Sequence, residues 1–138
     1  MSRIVVTLLL STLLVLFTSC TQDTFVDVRD STVTAKLDLV VGFEGRLVKL
    51  YLNGELSYSA TLGTMAPLSR PIAEFESTLL RGTNTIVVEC WATESPGTTY
   101  MRRTTAVTLG DADKYFLGLI LQSDTLLVNV QTSPFLYL

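Results

Sequence analysis

The stretch that decides the fold reads VKLYLNGELSYSATL and runs from Val48 to Leu62. Its first part places an apolar side chain at every second position, which is the period of a β-strand with one buried face. Asn53-Gly54 follows, and this dipeptide is the strongest short signal for a hairpin because both residues tolerate a positive φ. On the return strand the alternation continues through Leu56, Tyr58, Ala60 and Leu62. The stretch therefore predicts a β-hairpin with one buried face.

The same alternation continues in both directions from this hairpin, and turn residues separate the segments. About eight short strands with turns every 8–12 residues are typical of a sandwich or barrel. We therefore predict an all-β, antiparallel β-sandwich, with no helix after residue 20. Strands are predicted at residues 33–41, 73–79, 86–92, 101–109, 115–121 and 126–130. In the first of them the predicted inward side chains are Val33, Ala35, Leu37, Leu39 and Val41.

The first 20 residues have the parts of a bacterial export signal. Arg3 supplies a positive charge, residues 4–17 are mostly apolar, and Thr18 and Ser19 precede Cys20. A membrane-spanning helix needs about 20 apolar residues, so this shorter run is predicted to be a cleaved signal segment. The sequence FTSC at its end resembles the lipobox of bacterial lipoproteins. That resemblance implies cleavage before Cys20 and acyl chains on its thiol.

This interpretation divides the chain into a signal peptide (1–19), the lipidated Cys20 with a short tether (20–31), and one sandwich domain (32–138). Two or more acyl chains hold a protein stably at a membrane. We therefore expect a membrane-anchored protein of the bacterial cell envelope, in the outer membrane if the source is Gram-negative. The alternative is an ordinary secretory signal that ends in a cysteine by chance.

Between Ala73 and Leu109, an aromatic strand leads through a leucine and a Gly-x-Asn turn into alternating apolar residues. The positions are Phe75, Leu79, Gly82, Asn84, Ile86 and Val88. This pattern resembles bacterial Ig-like domains, and Val48-Lys49-Leu50-Tyr51-Leu52-Asn53-Gly54 looks like the strand of that family that precedes an Asn-Gly turn. The resemblance implies an Ig-like sandwich acting as a spacer, an adhesion module or an accessory domain.

Two features depart from the Ig-like pattern. Cys90-Trp91-Ala92 stands where such domains often carry Ala-x-Asp, and about three more strands are predicted after Leu109. A transthyretin-like sandwich and a sandwich like those of carbohydrate-binding modules therefore remain open.

Composition argues against several classes of function. The net charge is −3, whereas nucleic acid is bound by basic surfaces, so no nucleic-acid partner is expected. The chain has no histidine, the commonest general base and the commonest transition-metal ligand. We therefore predict a protein that is not an enzyme, with no cofactor and no metal.

The remaining reactive side chains have plain interpretations. Cys90 has inward parity, meaning that it belongs to the alternate positions of its strand that point toward the core. It is predicted to be a small buried hydrophobe rather than a reactive thiol. Glu74 and Glu76 share an outward face, and Asp111 and Asp113 share a turn. We interpret both carboxylate pairs as solvated surface rather than as a glycosidase pair or a calcium site.

The candidate site lies around Trp91. Because Cys90 points inward, Trp91 points outward. Pairing this strand with the next one places Trp91 opposite Tyr100 and Glu89 opposite Arg102. That register sends Arg103 inward, and a β-bulge beside it is predicted to relieve the burial of an unpaired charge.

Two interpretations of this candidate surface (Trp91, Tyr100 and Arg102) stay open. One is ordinary cross-strand stabilisation, and the other is a platform for a sugar ring or a hydrophobic partner. We expect a non-catalytic, lipid-anchored binding or structural module of the envelope, whose partner is a glycan or an envelope protein. The alternatives are a carbohydrate-binding surface lipoprotein and an accessory domain that supports an enzyme or an assembly.

The chain ends in Pro134-Phe135-Leu136-Tyr137-Leu138, which is too apolar to hang in water. We predict that this tail packs as a short closing strand or covers a sheet edge.

Overall fold

The computed structural model describes residues 31–64, 69–94, 97–123 and 125–137. The predicted signal segment, Cys20 and all of the tether except Ser31 lie outside the described residues. The described part contains eight β-strands, as predicted. They are β1 (Thr32–Val41), β2 (Arg46–Leu52), β3 (Glu55–Thr61), β4 (Ala73–Leu80), β5 (Gly82–Glu94), β6 (Gly97–Leu109), β7 (Lys114–Gln122) and β8 (Thr125–Gln131).

The strands form two four-stranded sheets packed as a sandwich. Sheet I has the order β4-β1-β7-β8, and sheet II has the order β3-β2-β5-β6. Sheet II is antiparallel throughout, but in sheet I β1 pairs in parallel with β7. Sheet I is therefore mixed: the predicted antiparallel arrangement is right for sheet II and for the β1–β4 and β7–β8 pairs, and it is wrong for the β1–β7 pair. In Ig constant-type domains the first strand lies at the edge of its sheet, whereas β1 lies in the centre of sheet I.

The core lies between the sheets and is built from the alternating side chains of both. Leu37, Leu39, Leu117 and Leu119 of sheet I are fully buried, and Val48, Leu50, Ile86 and Val88 of sheet II face them. Burial of apolar surface at about 25 cal/mol per Å² is the main favourable term holding two such layers together. Where the edge strands β3 and β4 meet, the rings of Tyr58 and Phe75 stack with their centroids 4.9 Å apart.

Register shifts expose two apolar residues that alternation assigns to the inward face. The pairing of β1 with β7 shifts between Leu39 and Val41, and Val41 is 44% exposed. The pairing of β2 with β3 shifts between Leu50 and Tyr51, and Leu56 is 55% exposed. One extra residue in a strand moves everything beyond it to the other face, so both misassignments follow from a register shift.

Asn84 is a buried strand residue, although the sequence pattern placed it in a turn. β5 already begins at Gly82, whose φ of 99° makes the sharp turn from β4. The Asn84 amide oxygen accepts from Leu80 N at 2.8 Å and from Asn53 Nδ2 at 2.9 Å. Its Nδ2 donates to Leu80 O and Gly82 O. The amide thus ties the β4–β5 connection to the Asn53-Gly54 hairpin.

The described part of the C-terminal tail, residues 134–137, lies across the outer face of sheet I, so neither a closing strand nor an edge cover is correct for it. Tyr137 donates its hydroxyl proton to Asp38 Oδ2 at 2.6 Å. Phe135 packs over Gly118, where an added Cβ would meet the ring at 3.1 Å. Asp38 has outward parity yet is only 3% exposed, because the tail covers it. We call this outer surface of sheet I the covered face.

Candidate ligand-binding face

The predicted cross-strand pairs at the candidate site are confirmed. Trp91 lies opposite Tyr100, and Glu89 lies opposite Arg102, in the β5–β6 hairpin. On the other side of β5, the antiparallel strand β2 places Leu47 opposite Trp91 and Lys49 opposite Glu89. We call the outer surface of sheet II that is formed by the following residues the aromatic face: Lys49, Tyr51, Glu89, Trp91, Tyr100 and Arg102.

The bulge predicted beside Arg103 is absent, and this part of the prediction is wrong. The described pairing of β5 with β6 runs without a register shift, and Arg103 lies opposite Val88. β6 is an edge strand, and the partly buried Arg103 side chain, whose Nε atom is buried, reaches the turn between β7 and β8 in the other sheet. Its Nη1 donates to Arg102 O at 2.8 Å, and its Nη2 donates to Ser123 O at 3.2 Å. A long side chain of this kind can bury its stem and keep its charge near water.

Glu89 is the centre of the aromatic face. Tyr51 donates its hydroxyl proton to Glu89 Oε2 at 3.1 Å, and Tyr100 donates to Oε1 at 3.0 Å. Arg102 Nε lies 3.9 Å from Oε1, and the Glu89 side chain is 19% exposed. Burial, followed by the bond to Glu89, raises the pKa of both tyrosines above 10.0. Both hydroxyls are therefore protonated at neutral pH and hold the carboxylate in one position.

The two aromatic rings of the pair differ in exposure. Trp91 is half-buried, with the Tyr100 ring centroid 5.2 Å from its own and the planes tilted by 43°. Lys49 Nζ lies 5.3 Å from the centroid of the Trp91 ring, a cation–π distance. Tyr100, on the edge strand, is 51% exposed. The ring that a ligand would reach first is therefore that of Tyr100, and Trp91 packs against this ring.

Two residues of this face, Lys49 and Tyr51, were not among the candidates that the sequence supplied. Their outward parity followed from Val48, Leu50 and Leu52 pointing inward. The missing information was that β2 pairs with β5, since Tyr51 and Glu89 are separated by 38 positions in the chain. A hairpin fixes the register of its own two strands, but no local signal specifies a long-range pairing.

The other sequence candidates lie away from this face. Cys90 is buried, as predicted, and burial raises the pKa of its thiol to about 11. Glu74 and Glu76 form ion pairs with Lys36 and Lys114 at 2.7 and 2.6 Å. Each of these carboxylates is therefore neutralised by a lysine on the same surface.

The turn that contains Asp111 and Asp113 is held by hydrogen bonds between its backbone and the side chains of Tyr115 and Arg81. Gly110 N and Ala112 N both donate to the Tyr115 hydroxyl, and Arg81 Nη1 donates to the carbonyl oxygens of Gly110 and Ala112. Within the described ranges, no group of three or more His, Cys, Asp or Glu side chains is arranged to hold a metal ion. The same part of the chain contains no helix long and apolar enough to cross a membrane.

Comparison with known proteins gives no relative. No protein-family model matches the chain, and no curated protein or solved structure is similar to it.

Proposed function

We propose that this protein is a non-catalytic binding module of the bacterial cell envelope and that the aromatic face is its ligand-binding surface. The observation that carries the proposal is the half-exposed ring of Tyr100 beside a carboxylate held in place by two hydroxyls. Side chains fixed before a ligand arrives lose less entropy on binding, which favours recognition.

Carbohydrate is the class of ligand that this face suits best. A sugar ring has apolar C–H faces that pack on an aromatic ring, and it has hydroxyl groups around its rim. Tyr100 supplies the ring, and the neighbouring Glu89 and Arg102 supply an acceptor and donors. Specific sites commonly combine aromatic surface with a few well-placed polar groups in this way.

The anchor belongs to the same proposal. The apolar run that ends in FTSC supports acylation of Cys20, which would hold the sandwich at a membrane surface. Replacing this residue (Cys20→Ala) should move the protein from the membrane fraction to the soluble fraction, while Cys90→Ala should leave it there. An unmodified Cys20 thiol in the intact mass of the mature protein would contradict acylation.

For the fold family we propose a transthyretin-like sandwich in preference to an Ig-like one. The central position of β1 and its parallel pairing with β7 support this choice.

The function is tested by binding of the full chain, in detergent, to a polysaccharide array, followed by calorimetry with the polysaccharides that bind. Removal of the exposed ring in Tyr100→Ala should weaken binding about tenfold or more, as expected for an anchor at the centre of a site. Tyr100→Phe keeps the ring but removes one of the two hydroxyls that hold Glu89, so it should lose less affinity than Tyr100→Ala.

A matched control lies on the opposite side of the sandwich. Phe116 of β7 also carries a lysine over its ring, with Lys114 Nζ 5.7 Å from the centroid. Phe116→Ala should therefore leave binding unchanged. Equal effects of Tyr100→Ala and Phe116→Ala, or binding of an envelope protein with no binding of any glycan, would overturn the carbohydrate assignment.

A further inference from the structure

Three charged side chains lie in one row across the aromatic face. Lys49 of β2 is opposite Glu89 of β5, and Glu89 is opposite Arg102 of β6. Neighbouring strands are about 4.8 Å apart, so the backbone positions of the two cations are separated by about 10 Å, with the carboxylate between them. Along the described parts of β2, β3, β5 and β6, the other outward side chains are uncharged.

The single carboxylate of this row is already engaged. It accepts from both tyrosine hydroxyls and faces the Arg102 guanidinium. In the described part of the chain, Lys49 has no carboxylate within 4.0 Å, and its ammonium lies over the Trp91 ring. The aromatic face therefore carries one more positive than negative charge.

This excess is local, since the chain as a whole has a net charge of −3. On the covered face, by contrast, each of two lysines is matched. Lys36 pairs with Glu74 at 2.7 Å, and Lys114 pairs with Glu76 at 2.6 Å. Complementary charge favours encounter with a partner of opposite sign and disfavours partners of like sign. An anion is the complement of the aromatic face.

We infer that the ligand is an anionic saccharide, whose sugar ring packs on Tyr100 and whose acidic group lies against Arg102, while Lys49 adds to the positive potential of the face. This inference rests on the proposed function, because it assumes that the aromatic face binds carbohydrate. Each tyrosine oxygen donates its proton to Glu89 and keeps lone pairs that can accept from sugar hydroxyls. One excess positive charge suits recognition of a single acidic group at the site, whereas nucleic acid is bound through many phosphate contacts.

A pair of probes with one backbone tests this directly. Polygalacturonate carries a carboxylate on every sugar, and its fully methyl-esterified form is neutral. We expect the full chain, in detergent at about 50 mM NaCl, to bind the acid form about tenfold more tightly than the ester. The preference should shrink at about 300 mM NaCl, because salt screens exposed charges. A sulfated glycan and its desulfated form give a second pair.

Substitutions of the two cations test whether the preference for the acid form arises at the aromatic face. Lys49→Gln and Arg102→Gln should each reduce affinity for the acid form several-fold and leave affinity for the ester unchanged. Lys36→Gln on the covered face should change neither. Equal affinity for charged and neutral forms in both probe pairs would overturn the anionic assignment while the proposed function stands. If no member of the array or of either pair binds, the proposed function fails together with this inference.

Discussion

The two outer faces of this sandwich have similar ingredients and opposite arrangements. Each carries an aromatic ring with a lysine over it, and each has carboxylates beside cations. On the covered face the lysines are neutralised by glutamates, and the tail lies over Asp38 and Gly118. On the aromatic face the carboxylate is held by tyrosines, and the Tyr100 ring remains exposed. The difference indicates that one face contributes to stability and the other is available for a ligand.

The largest effect is expected from removing the tail, which would uncover the covered face. Deleting residues 134–138 removes the Phe135 ring from Gly118 and the Tyr137 hydroxyl from Asp38. We expect a loss of about 2–4 kcal/mol in the free energy of unfolding, measured by urea denaturation. Light scattering should also show self-association through the newly exposed apolar surface.

Binding at the aromatic face should survive this deletion, because the tail does not form part of that face. A truncated chain with unchanged stability and no self-association would show that the tail is dispensable. Loss of glycan binding in a folded truncated chain would contradict the separation of roles between the two faces.

The same substitution on the two faces gives a sharper comparison. Tyr137→Phe leaves Asp38, which is 3% exposed, without the donor to its Oδ2 atom. Since a buried acceptor that loses its partner is costly, the free energy of unfolding should fall by about 1–3 kcal/mol. Tyr100→Phe removes a hydrogen bond that water can replace, so the free energy of unfolding should fall much less in this variant. Equal shifts in the two variants would contradict the distinction.

Gly118 tests how closely the tail is packed. In Gly118→Ala the new Cβ would lie 3.1 Å from Phe135 Cζ, so the ring must shift. We expect a loss of about 1 kcal/mol in the free energy of unfolding, measured by urea denaturation. Gly63→Ala is the control, because an added Cβ there meets nothing within 4 Å. Unchanged stability in Gly118→Ala would mean that Phe135 does not need the space that Gly118 leaves beside its ring.

High pH should affect the covered face in a direction set by Tyr137. Burial, followed by the hydrogen bond to Asp38, raises the pKa of this hydroxyl above its ordinary value of 10.0. A group whose pKa is higher in the folded state contributes stability that is fully present below pH 10 and is lost as the pH rises through the folded value. Urea midpoints measured from pH 9 to 11.5 should therefore fall less steeply in Tyr137→Phe. Parallel curves for the variant and the natural protein would contradict this role.

What the sequence could predict depended on how far apart the interacting residues lie in the chain. The Trp91–Tyr100 pair was predictable because a hairpin fixes its own register. The place of Lys49 beside Glu89 was not, since the pairing of β2 with β5 joins distant segments. Val41 and Leu56 were assigned to the wrong face because a single-residue register shift is invisible to a period of two.

The covered face shows a second limit of sequence patterns. Outward parity correctly placed Asp38 away from the core, but it could not show that Phe135 and Tyr137 would return to cover this face. The glycine that makes room for Phe135 lies within an apolar strand and carries no special local signal. Parity therefore gives the direction of a side chain and leaves open what that side chain meets.

The central claim is that a glycan binds the aromatic face, and the chain contains its own reporter there. Trp91 is the single tryptophan in the sequence, and its ring centroid lies 5.2 Å from that of Tyr100. Titration of the full chain with a glycan identified on the array should change Trp91 emission in a saturable way, with the same affinity as calorimetry gives. The change should be lost in Tyr100→Ala and kept in Phe116→Ala. Calorimetric binding with no change in Trp91 emission would place the ligand elsewhere and contradict the account.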